Sequence, residues 1–471
     1  MKFLGMHVER RSVLYGIGDA GLALISLATA WAIRFEVPLL QADLLALFQR
    51  HTGATVIFVV AHLFLLYIAE AYDPARDFRK PAQIARIWGA VAFGAFFQMA
   101  LFYAIPEWQV GRGFFGIASA VYLATLTFWR GLMCQVRPRL IRRLRTVILG
   151  ADHVGHHIAN AIAHHSEHSD RYELIGFVDD PDEIIEPVEE RSALPLVGGR
   201  SALAEWVDQE RVECIIVAIR AGMSDRLTRQ LLECKAKGVQ IEDMRVVYTR
   251  MTGKLPIQFV SDTSIIFGPA FAGTHGGAAV FQRLADIGIS IVGLLLTGPI
   301  IALAALAVRL DSKGPAFYTQ VRVGQNEHDF VIYKLRTMVQ DAEAKTGATW
   351  SKGRADPRVT RVGAFLRRTR IDELPQFFNV LNGTMSMVGP RPERPVFVAQ
   401  LKKQIPYYGL RFAVKPGVTG WAQVMYRYGA SVEETREKLC YDLYAIQELN
   451  PFLYVIILLK TVQTVILKPG S

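Results

Sequence analysis

Residues 367–392 place three arginines (Arg367, Arg368, Arg370) directly before two adjacent carboxylates, Asp372 and Glu373. Pro375 follows, and Phe378 and Leu381 open an apolar period. That order reads as a helix start with acids in its first turn, where the macrodipole favours negative charge. A carboxylate held there among arginines stays ionised near neutral pH, as a nucleophile or a Mg²⁺ ligand must. Gly383 is placed to end the helix, and Gly389-Pro-Arg-Pro392 to form a stiff turn that presents Arg391 in a fixed direction. Guanidinium is the usual choice for gripping phosphate. For the charge cluster alone, the alternative is a surface helix whose acids and arginines pair at little energetic consequence.

Other basic residues fit the same chemistry. Residues 330–335 alternate like a strand and would deliver Lys334 and Arg336 to a polyanion, and Arg427 follows a turn-rich block at 415–423. With Arg367 and Arg391 they make five candidate phosphate clamps. Gln376, Asn379 and Asn382 are read as structural residues that hold the turns.

These groups need a scaffold, and the composition says which kind. The chain has 471 residues, room for roughly three domains of about 150 residues. Half of it is hydrophobic (51%), too apolar for an ordinary soluble enzyme and indicative of membrane spans. The net charge of +10 is explained by arginines beside membrane segments better than by nucleic acid. Cys134, Cys214, Cys234 and Cys440 lack C-x-x-C spacing, which argues against a disulfide framework or a zinc site. The basic N-terminus runs into an apolar segment with no convincing cleavage site, so an uncleaved first span is expected.

Apolar segments at 13–33, 52–69, 88–105 and 114–129 are each close to the ~20 residues a helix needs to cross hydrocarbon. Lysines and arginines cluster before the first, between the second and third, and after the fourth, which places the N-terminus and everything after Arg130 in the cytoplasm. Asp19, inside the first span, is read as a cap near the membrane surface, with a helix contact or a site as alternatives. From residue 146 strands and helices alternate, as in a small Rossmann-like unit. Its glycine fingerprint is degraded. Gly150 and Gly155 are present and Asp179 could hold a ribose hydroxyl, but Asp152 stands where a second glycine would admit a pyrophosphate. A structural or regulatory domain is the favoured reading over dinucleotide binding. The histidines at 153–168 read as a solvated helix face, with a metal site as the alternative. After a connector with a strand-like piece at 264–267, a fifth apolar stretch (287–308) is interrupted by Gly298-Pro299 and basic at both flanks. A helix broken at Pro299 that enters and leaves on the cytoplasmic side satisfies both facts; a spanning helix kinked at Pro299 is the alternative. The final apolar segment, 451–467, is expected to lie along the membrane surface.

The stretch around Asp372 resembles the signature of the bacterial sugar transferases, the monotopic-type phosphoglycosyl transferases that start glycan assembly on polyprenyl phosphate. The resemblance lies in Asp372-Glu-Leu-Pro-Gln376, Asn379-Val-Leu381, Met385-Ser386 and Val388-Gly-Pro-Arg-Pro392. Further blocks at 314–315, 320–324, 333–338, 356–358, 360–363 and 415–423 are similar to the family's, so it covers about 190 residues of the C-terminal part. Two departures stand out. Gly298 replaces the serine that usually precedes the break, leaving Thr297 as the expected capping hydroxyl, and Ala445 replaces a second tyrosine after Tyr444. The resemblance implies a membrane protein of α plus α/β class. It would have a four-helix transmembrane bundle (1–135), a Rossmann-like domain (136–250), a connector (251–278) and a mainly α catalytic domain (279–471) with a re-entrant helix at 284–310. The implied activity is transfer of a sugar-1-phosphate from a UDP-sugar to undecaprenyl phosphate with release of UMP. This would begin exopolysaccharide, capsule or O-antigen synthesis at the bacterial inner membrane. Asp372 would attack the β-phosphorus to give an aspartyl phospho-sugar, Glu373 would hold Mg²⁺, and Lys334, Arg336, Arg367, Arg391 and Arg427 would bind phosphate. Of these, Arg367 and Arg391 match motif positions most clearly. A homodimer is also implied. Two other classes compete: a membrane-anchored nucleotide-sugar dehydratase or epimerase, which needs an intact glycine fingerprint and a Tyr-x-x-x-Lys pair not found at 146–277, and a non-catalytic scaffold of a polysaccharide assembly complex, which has no need of the Asp372-Glu373 cluster.

Overall fold

The computed structural model describes residues 2–3, 6–7, 10–36, 52–69, 71–72, 81–104, 113–140, 143–164, 171–180, 192–219, 223–259, 277–340, 342, 356–426 and 431–467. Arg427 and the strand-like piece expected at 264–267 lie outside them. The chain separates into two compact units: residues 1–3, 7–215 and 225–240 form one, and residues 4–6, 216–224 and 241–471 the other.

In the first unit, four helices arise where the apolar segments are: α1 (Arg10–Phe35), α2 (Thr52–Ile68), α3 (Pro81–Ala104) and α4 (Phe114–Leu140). They share one core, in which Ala23, Ala30, Ala54, Ala90 and Ala118 allow close approach and Phe58, Leu66, Tyr122 and Leu126 fill the space between. Segments Tyr15–Phe35 and Gln83–Leu101 are long and apolar enough to cross a membrane; α2 is shorter. Asp19 is a helix contact, which corrects the surface-cap expectation. It is fully buried, and its carboxylate accepts from Arg130 Nη2 of α4 at 2.5 Å. Arg130 also donates to Ala71 O (3.1 Å) and lies 4.2 Å over the Tyr15 ring.

A parallel sheet follows, with β1 (Leu144–Leu149), β2 (Tyr172–Val178), β3 (Leu196–Gly198), β4 (Cys214–Val217) and β5 (Gln240–Asp243) in the order β3-β2-β1-β4-β5. The order reverses between β1 and β4, as in doubly wound folds. Helices α5 (His153–His164), α6 (Leu203–Gln209) and α7 (Asp225–Ala236) connect the strands. Short β3 escapes a reading based on long apolar runs.

After β5 the chain continues, in the second unit, into α8 (Met244–Thr252), whose N-terminus is capped by the Asp243 side chain. Its exit is pinned locally: Trp421 Nε1 donates to Gly253 O (2.7 Å), Leu255 N to Cys440 O (2.9 Å), and Lys254 pairs with Glu437. Helix α9 (Gly277–Asp311) runs 35 residues with Pro299 inside it. Helical structure is therefore continuous where the sequence suggests a break. Pro299 has no N–H for the Leu295 carbonyl, and the Thr297 hydroxyl bonds Gly293 O (2.7 Å) rather than capping that carbonyl. The rest comprises the antiparallel hairpin β6 (Phe317–Val323) and β7 (Asp329–Leu335), α10 (Arg361–Thr369), a 3-10 turn (Ile371–Glu373), and α11 (Gln376–Leu381). Beyond these come β8 (Ser386–Val388), α12 (Pro395–Gln404), β9 (Gly417–Thr419) paired parallel with β8, α13 (Trp421–Met425), α14 (Val432–Glu448) and α15 (Pro451–Leu467). Phe397, Leu401, Ile405, Phe412, Leu439 and Leu443 form its core.

Replacing Asp19 alone with leucine leaves Arg130 buried without its carboxylate and should destabilise the first unit by about 3–5 kcal/mol. Thermal unfolding in detergent checks this: Asp19→Leu should lower Tm sharply, and the double variant Asp19→Leu/Arg130→Met should recover much of the loss.

Candidate active site

Local caps and turns around α10 and α11 position Asp372 and Glu373 within the second unit. Thr360 caps α10 by accepting from Gly363 N (3.0 Å). Arg370 ends α10 in the left-handed conformation (φ 57°), and its N–H returns to Leu366 O and Arg367 O. A bulky residue held there is strained, a feature that concentrates at functional sites. The reversal sends the chain into the 3-10 turn, so the acids precede α11 rather than forming its first turn. Asn379 then fixes α11 against β7: its side chain accepts from Tyr333 N (3.0 Å) and donates to Val331 O (2.7 Å). Asn382 accepts from Thr384 N (3.1 Å) and so holds the turn after α11. Both asparagines have the structural role that their positions suggest.

The two carboxylates meet opposite environments. Glu373 Oε1 accepts from Arg391 Nη2 (2.8 Å) and Lys334 Nζ (3.1 Å), and Arg370 lies 3.8 Å from Oε2. Burial works against its charge, but Arg391, Lys334, the Arg391 hydrogen bond and Arg370 outweigh burial and hold the carboxyl well below the usual range. Asp372 is buried, and among the described residues its carboxylate has no hydrogen-bond partner. Burial first, then the Glu373 charge, push it up to about 6, against the pull of Lys334, Arg367 and Arg391. Two acids whose environments separate their pKa values mark a candidate site, with Glu373 held by cations and Asp372 left open.

The candidate clamps divide. Lys334, from β7, and Arg391, from the turn after β8, meet at Glu373. Arg367 Nε donates to Thr337 Oγ1 (2.9 Å), and its charge is felt at Asp372. Arg336 goes elsewhere: it is buried and donates to Ser312 O (2.8 Å), Ser312 Oγ (3.0 Å) and Lys313 O (2.5 Å), closing the end of α9. Two residues that sequence reasoning passes over set the direction of Arg391. Arg411 Nη2 donates to Arg391 O (3.0 Å) and is held by buried Asp442 (2.9 Å); Arg322 Nη1 donates to Pro392 O (3.1 Å). Asp442, a lone acid in the Tyr441–Tyr444 block, was the available signal.

Mg²⁺ asks for only one or two carboxylates plus phosphate oxygens. Ionised Glu373, with one oxygen carrying only the distant Arg370, fits that requirement beside Asp372. Among the described residues no group of three metal-ligating side chains exists, the α5 histidines included. His156 is instead buried against Phe177 and accepts from Ser192 N (3.0 Å).

The Rossmann-like loop is filled by its own acids. A Cβ on Gly155 would stand 2.0 Å from Gly150 O, so this glycine serves strand–helix packing. Asp152 Oδ1 accepts from Val154 N (2.9 Å) and Gly155 N (3.1 Å), and Asp179 accepts from Ala151 N (2.6 Å) and forms an ion pair with Arg200 (2.8 Å). The N–H groups that would cradle a pyrophosphate are satisfied internally.

Comparison with known proteins meets both halves of this description. A family model described as CoA-binding domain matches residues 67–244, although the loop just described does not fit a diphosphate. The family model described as bacterial sugar transferase matches residues 277–468. The UDP-N-acetylgalactosamine-undecaprenyl-phosphate N-acetylgalactosaminephosphotransferase of Aeromonas hydrophila is 36% identical over 265 residues, 55% of this chain, and the chain spans 60% of that relative's length. A UDP-glucose:undecaprenyl-phosphate glucose-1-phosphate transferase of Xanthomonas campestris pv. campestris is 28% identical over 79% of this chain and 78% of its own. A protein of the same description from Caulobacter vibrioides is 40% identical over 39% of this chain and 69% of its own. With the Asp372–Glu373 cluster lying inside the matched region, the chain belongs to the bacterial sugar transferase family.

Proposed function

We propose that this protein transfers a sugar-1-phosphate from a UDP-sugar to undecaprenyl phosphate, releasing UMP. The observation that carries the reading is the bare, buried Asp372 carboxylate beside a neighbour tied down by cations. An Asp372 oxygen attacks the β-phosphorus; the bond from that phosphorus to the bridging oxygen breaks and UMP departs with the electron pair. A phosphate oxygen of the lipid then attacks the same phosphorus, displacing the Asp372 carboxylate and leaving the sugar on a lipid diphosphate. With a pKa pushed up to about 6, Asp372 is mostly ionised at neutral pH yet more basic than an exposed aspartate. Lys334 and Arg391, converging on one Glu373 oxygen, are placed to exchange that oxygen for those of a diphosphate, and Arg367 adds charge beside Asp372. Mg²⁺, held by Glu373 together with substrate oxygens, would supply further neutralisation of the diphosphate. The filled Rossmann-like loop favours this reading over a nicotinamide-dependent dehydratase or epimerase.

A re-entrant path for α9 places this chemistry at the bilayer surface. Both flanks of the helix make polar contacts with its own unit. On the first, Arg283 donates to Val380 O and Leu381 O (2.7 and 2.8 Å), and Asp286 accepts from Met387 N (2.9 Å). On the second, Asp311 accepts from Val362 N (3.1 Å), and Arg336 binds Ser312 and Lys313. Between them Leu295 (74%) and Leu303 (69%) are exposed, which suits hydrocarbon and not water. A crossing helix would hold its ends about 30 Å apart, on opposite sides of the hydrocarbon. With the arginine distribution around the first four helices, the active site then faces the cytoplasm and the first unit spans four times.

Three outcomes are expected. With undecaprenyl phosphate and Mg²⁺, a panel of UDP-sugars should yield UMP from wild type and none from Asp372→Asn; release of UDP would replace this reading with ordinary glycosyl transfer. Acid should slow the first UMP turnover with a midpoint near pH 6, as Asp372 takes up a proton. Because that pKa is raised on folding, ionised Asp372 costs stability as pH climbs through 6. Asp372→Asn should therefore unfold about 1–3 kcal/mol later than wild type at pH 7.5, with the difference vanishing toward pH 4. Single cysteines at Ala278 and Lys313 should both react with an impermeant maleimide from the cytoplasmic face of inverted vesicles; labelling on opposite faces would mean a crossing helix.

A further inference from the structure

Where α9 passes from polar sequence into its apolar run, two cations face each other. Lys415 Nζ and Arg283 Nη2 both lie within 3.6 Å of the point where Gly383 would carry a Cβ. Gly383 itself adopts φ 83°, so a side chain there would be strained. Arg283 is anchored by the Val380 and Leu381 carbonyls at the end of α11. Lys415 is half-buried, and among the described residues it has no hydrogen-bond partner. Burial, then the Arg283 charge, push its ammonium down, with Asp286 opposing. Asp286 does not complete the pairing. It is buried and its Oδ1 already accepts from Ser386 Oγ (3.1 Å), Met387 N (2.9 Å) and Tyr454 Oη (2.7 Å).

Two neighbouring cations, one of them without a partner, favour binding of an anion. The surroundings say what else that anion must carry. Val280 and Leu284 flank Arg283 on α9 and are 60% and 65% exposed, and the apolar run begins within a turn. We infer that Arg283 and Lys415 form a binding site for a phosphate carried on a membrane lipid. The backbone around Lys415 couples this site to the catalytic turn: Ser386 N donates to Pro416 O (2.9 Å) and Gly417 N to Pro390 O (2.9 Å), next to Arg391. The same strand pairing therefore carries Lys415 toward Arg283 and Arg391 toward Glu373. The lipid phosphate can belong to the polyprenyl acceptor, in which case the inference rests on the transfer reaction proposed above, or to an anionic phospholipid at the same depth.

Lys415 is the residue to vary, because Arg283 also closes α11. The full chain, as wild type, Lys415→Gln and Lys415→Arg, is placed in phosphatidylcholine nanodiscs with and without phosphatidylglycerol. The readouts are the UMP burst without acceptor, KM for undecaprenyl phosphate, and stimulation of turnover by phosphatidylglycerol. An acceptor site predicts that Lys415→Gln raises KM about tenfold, with the burst changed less than twofold and Lys415→Arg restoring most of the affinity. A phospholipid site predicts an unchanged KM and lost stimulation by phosphatidylglycerol. If Lys415→Gln changes neither KM nor stimulation, the inference is overturned. Absence of the burst in wild type would instead refute the covalent reading, and the KM comparison would still decide this one.

Discussion

Arg391 and Lys334 reach a single oxygen of Glu373 from elements far apart in the chain, one on the turn after β8 and the other on strand β7. Keeping two cations at that point requires that neither element drift. Arg411, backed by Asp442, and Arg322 hold the carbonyls of the Arg391 turn, and Asn379 holds the β7 backbone. With the cations committed to Glu373, Asp372 is left buried without a partner of its own. Its raised pKa is therefore a property of the whole assembly: loosening any support would let a cation swing onto Asp372 and pull that pKa down.

The long apolar helix serves both as anchor and as wall of this assembly. Ser290 and Gly293 lie against Met387 and Phe377, while Ala304 and Val308 pack with Leu335 and Leu366. Leu335 adjoins Lys334, and Leu366 adjoins Arg367. The seating of the helix and the alignment of the charged residues thus depend on one packed surface, and variants with a more polar helix would have to keep that surface intact.

Much of this was legible in residue order, for reasons that differ by element. The first four helices could be read because long apolar segments have few alternatives, and the parallel sheet because buried strands such as Val147–Leu149 are short apolar runs bounded by glycine. Asp372, Glu373, Lys334 and Arg391 could be singled out from chemistry and spacing. Arg336 shows where that reasoning ends: a basic residue beside a strand looks the same whether it meets a phosphate or three carbonyl and hydroxyl oxygens at a helix end. Arg411 and Asp442 lie 31 residues apart, and their pairing depends on a fold that no local pattern encodes. The environment separating Asp372 from Glu373 is likewise tertiary, since adjacent acids carry no mark of which one will be left bare.

Helix α8 ends in a seam whose partners all come from the C-terminal part of the chain. The indole of Trp421 is satisfied by the Gly253 carbonyl, the Cys440 carbonyl by Leu255 N, and Glu437 by Lys254. The natural piece to excise as an autonomous unit therefore begins ahead of Met244, not at the start of α9. A fragment cut at residue 277 would carry an orphaned indole N–H, an exposed patch on α14 and a bare glutamate, and those defects would mimic a folding fault in a domain that is otherwise whole.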